Sequence, residues 1–315
     1  MSVYTPLNLQ QVQAFAEPYG LVVTELIPIQ GGIENTNYFL VCEDAQQFVL
    51  TVFEELSEQA AGELVPVLTH LGKNGVPVAV PLQPAGQAIH RIAGKPAQIA
   101  PRLQGEHPSP ATLPQVEAIA VAQARMHVVL QDYPLQRESN HGQSWWIETA
   151  TRLRQRMNAE DQALLDQVFE CFKTCQSEFP DRPQGMIHAD LFRDNTLFVG
   201  PALHGILDFS ELNRDDLLLD IAITLNDFCS DYPEVTLDEE KADAYLNAYQ
   251  LERELTPDEF ACLPVYLAMA ACRFWLSRLE VAERNATEGR SSADILQKDP
   301  LEMRNMLVER LKYVG

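Results

Sequence analysis

The chain has 315 residues, 46% of them hydrophobic and 22% charged, and a formal net charge of −22. This length suits two lobes, and the acidic balance argues against nucleic-acid binding, which depends on Lys and Arg neutralising phosphates. With no apolar run near the roughly 20 residues of a membrane span, no N-terminal signal pattern and no Cys-x-x-Cys pair, we expect a cytoplasmic protein that binds neither membrane nor nucleic acid.

Residues 1–102 are predicted to form a strand-rich lobe. Asn8 opens a short helix that ends at Gly20. Alternating apolar runs and turn residues then predict five strands, over 21–27, 37–42, 47–53, around Ile89 and over 97–100. Between the third and fourth strands Ser57 caps a helix towards Leu71, in which Pro66 predicts a kink or a break.

Residues 103–315 are predicted to form a larger, mainly helical lobe, joined to the first through Pro101–Gly105. The first long helix covers 113–129 and contains His127, which we interpret as a packed or capping residue. Two later segments, beginning at Thr236 and Thr256, have capping-box form and predict helix starts.

The most informative motif of the chain is His188-Ala189-Asp190, followed by Asn195 and, 18 residues after Asp190, by Asp208. The runs 196–199 and 204–209 flank Gly200-Pro201 and predict a β-hairpin. Asp190 and Asn195 then enter the first strand and Asp208 ends the second, so we expect the three side chains to share one cleft. Singly, each residue is better explained as a turn or strand-end residue, whereas the three together at this spacing favour the functional interpretation.

This set of side chains is suited to phosphoryl transfer. Asp190 can take the proton of a substrate hydroxyl, and the oxygens of Asn195 and Asp208 suit Mg²⁺, which binds through few protein ligands. The sequence therefore predicts an ATP- and Mg²⁺-dependent phosphotransferase, with Asp190 as the catalytic base and Asn195 and Asp208 as metal ligands.

The motif resembles that of the aminoglycoside phosphotransferase and choline kinase superfamily, which is similar in fold to protein kinases. Within it, the chain looks most like the bacterial homoserine kinases of this fold. Two blocks carry the finer resemblance, Gly31 to Phe39 with its Glu-Asn-Thr-Asn sequence, and His188 to Asn195. Further agreement comes from 48–54, 103–105 and 220–227, so the resemblance covers roughly residues 20–280.

The resemblance implies an α+β, bilobal protein-kinase-like fold, with a small antiparallel-sheet lobe and a larger helical lobe. It implies L-homoserine as the acceptor, on the route to threonine, and a structural role for His188 in shaping the catalytic loop. It also implies that adenine binds to the backbone of the segment that joins the two lobes, near Pro101 and Leu103. Asp220 is interpreted as an anchor for the catalytic loop or as a helix N-cap.

The turn 30–36 is the expected phosphate loop of the first lobe. Gly31 and Gly32 let backbone N–H groups approach phosphates, and Asn35, Thr36 and Asn37 add neutral donors. Kinases of this broad fold usually add a Lys on the third strand. Here Thr51 occupies that position, and the first 72 residues hold nine acidic residues and no Lys or Arg.

The absent lysine leaves alternatives open. Arg193 is the leading candidate to supply the positive charge as a catalytic residue, and a salt bridge to a carboxylate such as Asp194 is the competing interpretation.

The acceptor is predicted to be a small-molecule alcohol, with another amino alcohol or an aminoglycoside as the alternative to homoserine. The alternative outside catalysis is a nucleotide-binding pseudokinase. The sequence does not indicate an oligomeric state.

Overall fold

The computed structural model describes residues 4–29, 35–137, 139–287 and 298–314. Within these ranges the chain divides into two compact units, and the division falls between Gln104 and Gly105. We call them the first and the second unit and describe each by itself.

The first unit is built on a five-stranded antiparallel sheet. Its strands are β1 (Val23–Pro28), β2 (Thr36–Cys42), β3 (Gln47–Val52), β4 (His90–Ile92) and β5 (Lys95–Pro101). They lie in the order β1-β2-β3-β5-β4. The register places Thr51 of β3 opposite Asn37 of β2 and opposite Gln98 of β5, so these three residues form one row across the sheet.

The two faces of this sheet differ because side chains alternate along a strand. One face carries Tyr38, Leu40, Leu50 and Ile99, which form a buried core with Phe15 and other residues of the N-terminal helix. The opposite face carries the half-buried row of Asn37, Thr51 and Gln98. The apolar runs of the sequence therefore predicted these strands correctly.

The helices of the first unit are α1 (Leu9–Ala16), capped by Asn8, and α2 (Glu58–Lys73), capped by Ser57. Both caps were predicted. Of the kink or break predicted at Pro66, the break is wrong, because α2 is one helix from Glu58 to Lys73. Buried apolar side chains on both sides of the proline, among them Val65 and Val67, pack into the unit, and this packing offsets the lost hydrogen bond.

The second unit is mainly helical, as predicted. Its helices are α3 (Leu113–Leu130), α4 (Gln143–Arg154), α5 (Ala159–Glu178), α6 (Leu217–Phe228), α7 (Glu239–Tyr249), α8 (Pro257–Thr287) and α9 (Pro300–Leu311). The capping box at Thr256 and Glu259 is present at the start of α8. The one predicted at Thr236 is not, because Asp238 caps α7 instead.

Short antiparallel pairs complete the second unit. Its strands are β6 (Gln184–Ile187), β7 (Thr196–Val199), β8 (Ala202–Ile206), β9 (Asn213–Asp216), β10 (Ser230–Asp231) and β11 (Thr236–Leu237). They pair as β6 with β9, β7 with β8, and β10 with β11. The hairpin predicted around Gly200 is thus confirmed, and the five-stranded sheet with this helical unit confirms the α+β class.

One helix of the described chain, α8, is long and apolar enough to cross a membrane by length and composition alone. Its most apolar 18-residue window is 67% buried within the protein. This burial is typical of a core helix, and α8 packs against α5, α6 and α9.

Candidate active site

The catalytic loop connects β6 to β7. It begins at His188 and ends in a single helical turn, Arg193–Asn195, which leads directly into β7. The side-chain amide of Asn195 donates to the Asp190 carboxylate oxygen Oδ2 over 2.9 Å and to the Asp190 carbonyl over 2.8 Å. The structure therefore brings the predicted base and one predicted metal ligand together, and leaves the carbonyl oxygen of the Asn195 amide available for a cation.

His188 is buried beneath this loop. Its Nε2 lies 2.8 Å from the carbonyl of Leu207, and its Nδ1 accepts the backbone N–H of Asp190 over 3.2 Å. Because burial lowers the pKa of His188, the ring is neutral at pH 7 with its proton on Nε2. This geometry supports the structural role predicted for His188.

Asp208 follows β8 in a tight turn. Its backbone has φ 54°, and its Oδ1 accepts from the backbone N–H of Ser210 over 3.1 Å and from the Ser210 hydroxyl over 2.6 Å. The preceding N–H, of Leu207, donates to the Asn195 carbonyl over 2.8 Å. Backbone bonds thus place Asp208 beside Asn195, as the predicted hairpin requires.

The donor set fits magnesium. An amide oxygen and an exposed carboxylate are hard ligands, and Mg²⁺ keeps several waters and uses few protein groups. In the described ranges there is no cluster of three or more His, Cys, Asp or Glu side chains that could hold a metal. A site with one carboxylate and one amide is compatible with that finding.

Asp220, in the first turn of α6, anchors the loop. Its carboxylate accepts the backbone N–H groups of His188 over 3.2 Å and Ala189 over 2.7 Å. The predicted anchor is confirmed, whereas the alternative of an N-cap is wrong because Asp216 occupies that position.

The sequence analysis missed the partner of this anchor. His127 of α3 is buried, with Nε2 2.9 Å from Asp220 and Nδ1 2.7 Å from the Tyr249 hydroxyl. Burial alone would raise the pKa of Asp220, but the hydrogen bond from His127 and the electrostatic interaction with the same ring outweigh burial and lower the pKa to about 2. The anchor is therefore a carboxylate at neutral pH.

Arg193 is held by a carboxylate other than the one expected. Its Nε lies 3.0 Å from Asp227 Oδ2 and its Nη2 3.3 Å from Oδ1, while its guanidinium lies over the Tyr232 ring at 4.6 Å. Asp194, the partner named from sequence, pairs with Lys298 over 2.6 Å. A role of Arg193 towards phosphate stays a prediction, with Asp227 as the competing partner.

The predicted nucleotide residues lie in the first unit. Gly31 and Gly32 fall outside the described residues. Thr36 is buried and its hydroxyl donates to Glu54 over 2.6 Å, so the predicted side-chain donor is already used within the protein.

The other predicted nucleotide residues are placed as follows. Asn35 and Asn37 are half-buried, and Asn37 Oδ1 accepts the Thr51 hydroxyl over 2.8 Å. Pro101 ends β5, and Leu103 follows two residues later, half-buried. Whether any of them contacts a nucleotide stays a prediction.

One basic residue of the first unit, Lys95, forms an ion pair with Glu54. Lys95 lies on the face of Ala97 and Ile99, because alternate residues of β5 share a face, whereas Thr51 lies on the other. Lys95 therefore does not take the place of the missing third-strand lysine.

Comparison with known proteins identifies the family. A model of the phosphotransferase enzyme family matches residues 25–257. Homoserine kinase of Methylobacillus flagellatus is 39% identical, with 89% of this chain and 87% of the relative covered. Homoserine kinases of Polaromonas naphthalenivorans (35%, 99% of each chain) and Pseudomonas aeruginosa (36%, 98% and 96%) are similar over nearly the full length.

Solved structures agree in fold. An amicoumacin kinase, solved with AMP-PNP and Ca²⁺, has a TM-score of 0.69 at 18% identity, with 98% of this chain and 93% of that chain covered. A microcompartment-associated aminopropanol kinase has a TM-score of 0.68 at 18% identity, with 95% and 94% covered. The kinase-like fold predicted from the motif is confirmed, and the chain belongs to the phosphotransferase enzyme family and, within it, to the homoserine kinases.

Proposed function

We propose that this protein transfers the γ-phosphoryl group of MgATP to the hydroxyl of L-homoserine, as a cytoplasmic enzyme of threonine biosynthesis. One observation supports the chemistry: the Asp190 carboxylate accepts from the side-chain amide of Asn195, and a backbone bond joins Leu207, the residue before Asp208, to the Asn195 carbonyl. The relatives named homoserine kinases support the choice of acceptor.

In the proposed reaction Asp190 orients the acceptor hydroxyl and takes its proton. A bond forms between the hydroxyl oxygen and the γ-phosphorus, and the bond to the β–γ bridging oxygen breaks, so ADP leaves with that electron pair. Asn195 and Asp208 would hold Mg²⁺, which when bound would neutralise charge on the phosphates. His188 and Asp220 keep the loop in shape, so that Asp190 needs little reorganisation during the reaction.

The nucleotide contacts we propose belong to the first unit. The Gly31-Gly32 segment, the backbone of Asn35 and Thr36, and the amide of Asn37 meet the phosphates, and backbone between Pro101 and Leu103 meets adenine. Arg193 is the proposed cation for the transferring group, since the fork of a guanidinium suits phosphate oxygens. The half-buried position of Asn37 and the exposed end of β5 support these assignments.

A coupled ADP-release assay with a panel of alcohols tests the proposal. The panel contains L-homoserine, a small amino alcohol such as 1-amino-2-propanol, and an aminoglycoside, each with MgATP. We expect turnover with homoserine at a kcat/KM far above the others, and O-phospho-L-homoserine as the product by ³¹P NMR.

Two results would reject the proposal. Preference for the aminoglycoside would assign a different acceptor to the same chemistry. MgATP binding, measured by calorimetry, without turnover of any alcohol would support a non-catalytic nucleotide-binding protein.

A further inference from the structure

A buried arginine on α8 contacts the backbone of the catalytic loop. Arg273 is 3% exposed, and its Nη1 donates to the carbonyl of Ala189, the residue directly before Asp190. Its Nη2 lies 3.2 Å from Glu211 Oε2, which also accepts from His141 Nδ1 over 2.8 Å. One guanidinium thus joins the loop of the base to the segment that follows Asp208.

The backbone that Arg273 holds is strained. Ala189 has φ 65°, a left-handed conformation that is unfavourable for a residue with a Cβ and persists only when its surroundings enforce it. The Asp220 carboxylate holds the N–H of Ala189 over 2.7 Å, and Arg273 holds its carbonyl. The residue before the base is therefore fixed from both sides by buried charged groups.

We propose that Arg273 is a positioning residue of the reaction, which keeps Asp190 aligned with the segment that carries Asp208. This inference rests on the proposed function, because it takes Asp190 as the base. The fork of the guanidinium spans two acceptors at once, a carbonyl and a carboxylate, which the point charge of a lysine does not reproduce.

The competing role for Arg273 is binding the carboxylate of the acceptor. Two contacts favour positioning. Both guanidinium ends are already bound within the protein, and its side chain, 4% exposed, lies against the negative Glu211. The carboxylate of Glu211 keeps its charge, because burial, which acts to raise its pKa, is outweighed by His141, Arg273 and Arg137, so the pKa is lowered.

Arg310 provides a matched control. It is equally buried, at 0% exposed, and lies on α9, where it donates to Asn226 over 2.7 Å and to the Val235 carbonyl over 2.9 Å. It touches no residue of the catalytic loop among the contacts of the described chain. Replacing either arginine by lysine therefore perturbs a buried guanidinium network of the second unit, but only one replacement perturbs Ala189.

The experiment compares Arg273→Lys with Arg310→Lys in the full-length protein. We expect both variants to lose thermal stability. We expect kcat to fall about 10- to 100-fold only in Arg273→Lys, with the KM for homoserine within about twofold, because misplacing a reacting group by about 1 Å has an effect of this size. Hydrogen exchange of peptide 186–195, followed by mass spectrometry without substrates, should accelerate in Arg273→Lys and not in Arg310→Lys.

Each other outcome overturns the inference. A raised KM with unchanged kcat makes Arg273 a binding residue for the acceptor. If kcat per folded molecule falls equally in both variants, Arg273 has only a structural role. The same conclusion follows if hydrogen exchange of peptide 186–195 is unchanged in Arg273→Lys. Should Arg273→Lys not fold, Glu211→Gln, which keeps the shape of the partner, must lower kcat without changing the exchange of α9.

The exchange measurement needs no acceptor. If the wild-type protein fails to phosphorylate homoserine, the proposed function is rejected, while the exchange of 186–195 still tests whether Arg273 holds the loop.

Discussion

The two units present their polar residues in different ways. In the second unit the catalytic loop is held by buried charges, with Asp220 and His127 beneath it and Arg273 beside it. In the first unit the row at the third-strand position is neutral, and in that row one side-chain bond, from Thr51 to Asn37, is present in the described chain. The loop that carries the predicted base is therefore preorganised by buried charged groups, and the residues that would meet the nucleotide rely on amides and hydroxyls.

One ion pair of the first unit, between Lys95 and Glu54, lies away from the row of Asn37, Thr51 and Gln98. Glu54 accepts from the hydroxyls of Thr36 and Thr5 and pairs with Lys95. These contacts join the N-terminal segment to the start of β2, on the face opposite Thr51. This ion pair thus lies at the start of β2 and away from the row that contains Thr51.

The largest expected effect concerns the base in the second unit. Asp190→Asn removes the proton acceptor but preserves the shape and the hydrogen bond to Asn195. We expect kcat to fall by about 10³-fold or more, within the range of general-base contributions, while calorimetric MgATP affinity stays within about twofold. Activity close to wild type would show that Asp190 is not the base.

Breaking the anchor beneath the loop should have the next largest effect. Asp220→Asn leaves His127 and the N–H groups of His188 and Ala189 without a carboxylate. We expect a loss of about 3 kcal/mol in the free energy of unfolding at pH 7, measured with urea, because one partner of a buried charged network is removed. A loss below about 0.5 kcal/mol, the size expected of a surface substitution, would contradict the anchor.

The pH dependence of this effect has a definite sign. The pKa of Asp220 is lowered from 3.8 to about 2 by folding, so the folded state gains about 2 kcal/mol that is fully present above pH 3.8. This contribution to the difference in the free energy of unfolding between wild type and Asp220→Asn should vanish as the pH falls through about 2. A difference that is constant over this window would show that the carboxylate charge is unimportant.

Local sequence patterns were sufficient for much of the fold. The apolar runs around Leu40 and Leu50 predicted two strands of the sheet, the turn at Gly200 predicted the hairpin, and Thr256 with Glu259 predicted the start of α8. These features depend on residues a few positions apart, so propensity and capping chemistry determine them.

Distant pairings were not predictable in the same way. His127 and Asp220 are 93 residues apart, Arg193 and Asp227 34, and Arg273 and Ala189 84. Each depends on how helices pack, which no local period encodes. The same limit explains Pro66, since tertiary packing of α2 overrides the local preference of proline to break a helix.

A smaller effect tests whether the Lys95–Glu54 ion pair contributes to stability and not to nucleotide binding. Lys95→Met leaves Glu54, whose side chain is 8% exposed, with only hydroxyl partners. We expect a loss of about 1 kcal/mol in stability, because the pair is partly exposed at the lysine, and no change in MgATP affinity. Weaker nucleotide binding by Lys95→Met, at unchanged stability, would instead give Lys95 the role of the missing strand lysine.

The smallest expected effect tests the neutral row itself. Thr51→Val keeps the shape of the side chain but removes the hydroxyl that bonds to Asn37, so one hydrogen-bonding group is lost at the position where related kinases carry a lysine. A single neutral hydrogen bond contributes about 1 kcal/mol, and we therefore expect the Kd of MgATP, measured by calorimetry, to rise about threefold to tenfold. Thr24→Val is the control, since Thr24 is an exposed threonine of β1 whose hydroxyl donates to the Val41 carbonyl. If both variants bind MgATP as the wild type does, the row around Thr51 does not contact the nucleotide, and the neutral face of the first unit loses its proposed role.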